Sequence, residues 1–464
     1  RVLFRSTNTT MNKFSHRSPS SVLSQYKPRH NDDIQTSACL LIMDDNHYLI
    51  EWIAYHYYVA DLSRLVVAID PKSLTSPHKI LNRWHDKINI TVWSSDADYM
   101  GGSSKNEFQI AKQKIQNEFT ETTPQLIEHR ARQRLFYTHC LRYLKLEQQQ
   151  SKSSPLSSFW TMLVDVDEFL RINYKTYSAN KWNNSSNKAA QLTIATNSII
   201  SDRKIPSINK PGSVASVLRA LAAGTAEGDN SPSSPCIQVP RYRFLSKEED
   251  ELRHSNSNGT IDKKDFLTQR YHKHTRGNDY KRNKISKTII DLQRVQLEDI
   301  IEVDSIHMPI RKYCSQRKLH IQPSDSLLVI NHYIGSYDQF TYRENDARNS
   351  FHGLVKTNVR DRKKFDEQNQ KLPYAPETDD EIAPWLEGFL ENKQDSSLST
   401  TSSNRNNLTH LLLEGVGRLE PKSWRPFFQE NYYSNEGRCA LLFFGLTRSF
   451  RSMVLPSLIK NVLR

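Results

Sequence analysis

Cysteine is scarce in this chain: five in 464 residues, at Cys39, Cys140, Cys236, Cys314 and Cys439, far apart and with no CxxC pair. That spacing argues against a structural zinc site and against a disulfide-dense scaffold, while leaving room for one or two isolated disulfides. Long apolar runs are missing too. None reaches the roughly 18 residues of a membrane span, so a polytopic membrane protein is excluded. Hydrophobic residues make up only 37%, low for a globular chain, so sizeable polar insertions must dilute the folded part. The start, Arg1-Val2-Leu3, has neither Met nor an apolar signal core, and a fragment of a longer protein is one reading of it.

Positive charge is in excess. The formal net charge of +13 suits an anionic partner, but the lysines and arginines are scattered. Their local clusters, Arg276–Lys287 and Arg360–Lys364, are flanked by acids and read as solvated surface. Sequons occur at Asn8, Asn89, Asn183, Asn184, Asn258 and Asn407, about the number that an Asn-, Ser- and Thr-rich chain produces by chance.

Residues 1–36 are poor in large aliphatics and read as a disordered or stem-like lead-in. Ala38–Met43 and Arg64–Ile69 are apolar runs of strand length separated by a helical pattern over Asn46–Val59. Ile88–Trp93 and Phe159–Val164 add two more strands, and helices are expected over 77–85, 107–119 and 125–147. Strands alternating with helices predict an α/β fold with a Rossmann-like, mostly parallel sheet flanked by helices. On the helix over 125–147, His129, Arg132 and Gln133 fall close to the apolar stripe of Phe136, Cys140 and Leu144, and so should face the sheet edge. A long polar insertion, partly mobile, is expected over 174–235, with strands again at Ile237–Leu245 and Leu327–Ile330. The main domain is taken as 37–392 and a linker as 393–407. Residues 408–464 read as the truncated start of a second domain.

Phe159–Val164 runs straight into Asp165-Val166-Asp167-Glu168-Phe169. Two aspartates one residue apart at a strand end put both carboxylates on one side, where they can share a cation. Oxygen ligands at the carboxyl end of a strand suit Mn²⁺ or Mg²⁺, ions that bridge and neutralise a diphosphate.

The order of motifs resembles a glycosyltransferase of the GT-A fold, closest to glycosyltransferase family 92 in the family 2-like group. The resemblance rests on Ala38–Met43 with Tyr48–His56, on Arg130-x-Arg132-Gln133, on Trp160–Leu170 and on Asn331–Ser336. It implies a metal-dependent hexosyltransferase that uses a nucleotide-diphosphate sugar, a UDP-sugar by expectation, and acts on a glycan or glycoprotein hydroxyl with inversion. On that resemblance Asp44 or Asp45, together with Asp70, would lie around the nucleoside, and Arg132 and Gln133 would touch the diphosphate or donor sugar. Asp165 and Asp167 would hold the metal and His332 would complete its shell, with His307 as the rival. An inverting transfer also needs a carboxylate base. Glu248, Glu249 and Asp250 stand in order for it, and Glu249 and Asp250 are carried forward. A Golgi or secretory-pathway membrane location, with attachment through a segment outside this chain, is likewise implied by resemblance. The competing expectations are a basic module binding nucleic acid or acidic glycan through 270–287, for which the transferase reading expects no nucleic acid, and a GT-A pseudo-enzyme.

Overall fold

The structure is a computed structural model. It describes residues 34–100, 104–118, 124–150, 158–175, 205–223, 234–246, 266–275, 283, 286–303, 307–314, 322–323, 326–337, 340, 362–369 and 375–391. Within them the apolar runs become strands of one sheet. β1 (Ile34–Ile42), β2 (Leu62–Ile69), β3 (Asn89–Trp93) and β4 (Ser158–Leu163) run parallel in the order β3-β2-β1-β4. β1 begins at Ile34, inside the stretch expected to be a lead-in, because Ile34–Cys39 pair with Ser158–Leu163. The connections carry α1 (Asn46–Val59), α2 (His78–Leu81), α3 (Asp96–Met100), α4 (Ser104–Glu118) and α5 (Pro124–Gln150). The result is a mixed α/β architecture with a mostly parallel central sheet and flanking helices.

Two differences from the expected elements shape the site. Ile237–Leu245 is two strands, β6 (Cys236–Val239) and β7 (Arg241–Phe244). Pro240, which has no N–H for a ladder, separates them. β6 pairs with the antiparallel β9 (Lys287–Asp291) at the edge of the first sheet, giving β3-β2-β1-β4-β9-β6. β7 belongs instead to a second sheet, ordered β11-β8-β7-β10-β5. It includes β5 (Glu168–Ile172), β8 (Lys273–His274), β10 (Leu328–Tyr333) and β11 (Glu377–Thr378). The second difference lies in the expected polar insertion. Its stretch Ser213–Ala223 forms α6, which packs Val214 and Leu218 into the main core. Small and aliphatic residues at helical spacing gave that signal, which the Asn/Ser-rich flanks obscured.

α1 is buried along its whole length and fixes β5. The Trp52 indole donates to the Glu168 carbonyl at 3.0 Å and the Tyr55 hydroxyl to the Leu170 carbonyl at 2.8 Å. The Leu170 N–H donates to His56 Nε2 at 3.3 Å, while His56 Nδ1 lies 2.9 Å from the Trp52 carbonyl. Burial pushes this imidazole down to about 3, so it stays neutral and serves as a strut. Among the described residues two disulfides are present, Cys39–Cys140 between β1 and α5 and Cys236–Cys314 at the start of β6. Among the described residues no helix is long and apolar enough to cross a membrane.

Candidate metal and anion site

The first sheet reverses its strand order between β1 and β4, and the chain leaves β1, β2, β3 and β4 on one edge. In open α/β sheets that crevice is where ligands bind. Asp44 and Asp45 follow β1, Asp70 follows β2, Asp96 follows β3, and Asp165 and Asp167 follow β4. The last pair lies in the four residues that carry the chain from β4 of one sheet into β5 of the other. Pro240 makes a second such seam, between β6 and β7, and Lys287 opens the antiparallel β9 on the same edge.

Around the first seam the charges interlock. Lys287 Nζ donates to Asp165 Oδ2 at 2.7 Å and lies 2.8 Å from Glu168 Oε2. Arg241 Nη1 donates to Glu168 Oε1 at 3.0 Å, and the Asp165 N–H donates to Glu168 Oε2 at 3.0 Å. His332 Nε2 is 3.6 Å from Asp167 Oδ2. The Lys287 and Glu168 side chains are 1% and 0% exposed, whereas those of Asp165, Asp167 and His332 are 44%, 24% and 22% exposed. The buried pair is a foundation and the other three groups face outward. Partial burial opposes the charge on Asp165, but Lys287 holds its carboxyl below the ordinary range. His307, its Nδ1 2.6 Å from the Ser286 carbonyl, is pushed down to about 4 by burial and by Lys287.

Among the described residues one group can hold a metal ion: Asp167, Glu168 and His332, with ligand atoms all within 4.8 Å of one another. The sequence expectation of Asp165, Asp167 and His332 shares two members with it. Asp165 gives way to Glu168 because β5 and β10 pair antiparallel with His332 opposite Glu168. Asp167 and His332 offer an outward carboxylate and imidazole that suit Mn²⁺ or, with added water, Mg²⁺, while the Glu168 oxygens beside them are already held by Lys287 and Arg241. His307 is not in the group.

The other expected residues lie farther along the edge. Arg132 turns toward the sheet edge, as its helical position predicts. Its Nε lies 3.1 Å from both carboxylate oxygens of Asp96, its Nη1 lies 3.3 Å from Asp70 Oδ2, and its guanidinium covers the Phe108 ring. Tyr99 donates to Asp96 Oδ1 at 2.8 Å. Gln133, one residue on, is half-buried. Asp44 takes a left-handed φ of 56°, which aspartate tolerates, and its Oδ1 accepts from the Leu74 and Thr75 N–H groups and the Thr75 hydroxyl. It thereby orders the loop after β2. Asp45 Oδ2 accepts from the Met43 N–H. Glu248, Glu249 and Asp250 lie outside the described residues.

Sequence reasoning missed Lys287, Arg241 and Asp96. Lys287 was counted with the solvated basic cluster. The signal that sets it apart is the apolar Thr288–Ile290 that follows, which makes it the first residue of a buried strand. No protein-family model, no curated protein and no solved structure matches the chain.

Proposed function

We propose that the protein is a metal-dependent glycosyltransferase of GT-A type. In this reading it moves a hexose from a nucleotide-diphosphate sugar, expected to be a UDP-sugar, to a glycan or glycoprotein hydroxyl with inversion. The observation that carries the reading is the Asp167–Glu168–His332 group at the carboxyl end of the parallel strand β4, beside the point where strand order reverses. Asp167 and His332, with Glu168 behind them, would hold Mn²⁺ or Mg²⁺, which supplies charge neutralisation for a departing diphosphate. Lys287 holds both Asp165 and Glu168, and Arg241 holds Glu168, so that Asp167 and His332 beside them keep one geometry. Asp70, Arg132 and Asp96 form a polar wall two to three strands away, a place for the nucleoside. The acceptor's base is assigned to the Glu249–Asp250 region by sequence order alone.

One further observation supports an oxidising, secretory-pathway compartment. All four cysteines among the described residues are paired, Cys39 with Cys140 and Cys236 with Cys314. Mass spectrometry of unreduced protein from eukaryotic cells should find both cystines, and free thiols at all four positions would sink that placement.

The function is tested by thermal stability with Mn²⁺, UDP and both together, followed by a donor screen read as nucleotide release. Stabilisation is expected to be greatest with both present and to disappear in Asp167→Asn. A protein indifferent to Mn²⁺ and to every nucleotide is no transferase of this kind.

A further inference from the structure

We propose that the residue that receives the anionic diphosphate is Arg243 of β7, and that Arg132 serves the nucleoside side instead. This rests on the transferase reading for the ligand's identity, while the phosphate-binding chemistry stands apart from it.

The argument is one of register. β10 pairs with β5 and with β7, and His332 is the partner of Glu168 on one side and of Arg243 on the other. Residues paired across neighbouring strands project from the same face with Cβ atoms about 5 Å apart. Glu168, His332 and Arg243 therefore form one row. Arg241, two residues before Arg243, projects from the same face of β7. Its hydrogen bond to Glu168 at 3.0 Å shows that this face looks into the metal-ligating group. Arg132, by contrast, is bound to Asp70 and Asp96 after β2 and β3. With β1 between β2 and β4, that is two strand spacings from β4, about 10 Å. A phosphate in the shell of an ion at Asp167 and His332 adjoins Arg243 and not Arg132.

Charge points the same way. Among the described residues this rim carries the carboxylates Asp165, Asp167 and Glu168 and the cations Lys287, Arg241 and Arg243. A divalent ion entering beside Asp167 and His332 would add positive charge to that rim, which suits a diphosphate. Cation and anion should therefore bind synergistically, each raising the other's affinity by the same factor. A guanidinium presents the paired donors that phosphate oxygens accept, which explains arginine in that row.

The probe is inorganic pyrophosphate, titrated calorimetrically into the whole protein with and without Mn²⁺. Wild type should bind it with Mn²⁺ at least 10-fold more tightly than without. Arg243→Gln should lose about 10-fold to 100-fold of that affinity, with uridine binding little changed. Arg243→Lys should recover part of the loss, and Arg132→Gln should leave pyrophosphate binding near wild type. Should Arg243→Gln fold poorly, Arg243→Lys against wild type decides, since it keeps the charge and loses only the paired geometry. Wild-type pyrophosphate affinity in Arg243→Gln, or no binding by wild type at all, overturns the proposal. Pyrophosphate binding through Arg243 with no nucleotide released from any donor would leave this inference standing and remove the transferase reading.

Discussion

Glu168 and Arg171 stand three residues apart on β5, face opposite sides of the five-stranded sheet, and anchor ion clusters of opposite character. On the Arg171 side the central charges are enclosed, with Asp379 1% and Glu381 15% exposed. The guanidinium, 0% exposed, pairs with Asp379 and Glu381, donates to Asn331 Oδ1 at 2.9 Å and lies over the Tyr242 ring. On the Glu168 side the same ingredients stop short of closure, leaving Asp165, Asp167 and His332 partly open. A network whose partners are all internal pins the 375–391 segment to the sheet and has nothing to offer a ligand. A network with half-open oxygens and an imidazole can take a cation from solution.

The largest expected effect comes from breaking the closed side. Arg171→Met would leave Asp379 and Glu381 without their cation and should cost about 3–5 kcal/mol in denaturant unfolding. If the molecule retains its fold, its response to Mn²⁺ should persist. A loss of Mn²⁺ response at full stability would reverse the roles assigned to the two faces.

Burial without a cation gives the next test. Burial would push the Asp379 carboxyl up, but the His274 imidazole, its Nε2 3.4 Å away, and the Arg171 charge hold it below the ordinary range. Glu51 is buried among neutral donors, the Leu267 and Thr268 N–H groups and the Thr268 hydroxyl, and burial pushes it up to about 7. The folded state therefore holds that proton more tightly than the unfolded chain, whose value is near 4.5. Glu51's contribution is full below pH 4.5 and is lost as pH rises through about 7, on the order of 3 kcal/mol in total. Unfolding curves of wild type and Glu51→Gln across that window should diverge by this amount. Parallel curves would show that the Leu267 and Thr268 donors cancel the effect of burial.

The smallest stability effect belongs to the open side. Asp167→Asn should change unfolding by no more than about 1 kcal/mol without metal, because the side chain is partly solvated. The same variant should abolish the Mn²⁺ shift, and a large intrinsic destabilisation would make Asp167 a structural residue.

Much of the first sheet could be read from the chain. Ala38–Met43 and Leu65–Ile69 are unbroken apolar runs and Phe159–Val164 is broken only by Thr161, as strands buried on both faces require. The aspartates follow the strands as expected, but Asp165 and Asp167 lie in the turn between β4 and β5, where the two-residue repeat of a strand no longer sets their directions. The second sheet was harder to read. Its strands are short, and Arg241–Phe244 alternates charge with aromatic residues while continuing an apolar run across Pro240. The role of Asp44 in the loop after β2 also had no local signal, since its three donors lie 30 and 31 residues away.

The sequence by itself determined the α/β alternation, the strand ends that carry acids and the helix face that carries Arg132, because hydrophobic periodicity is a local property of the chain. Only the tertiary structure decided which acids share a site and which cations accompany them. Lys287 lies 122 residues from Asp165 in sequence and Arg241 lies 73 from Glu168. Strand order and register bring such groups together, and neither is written in the spacing of any one segment.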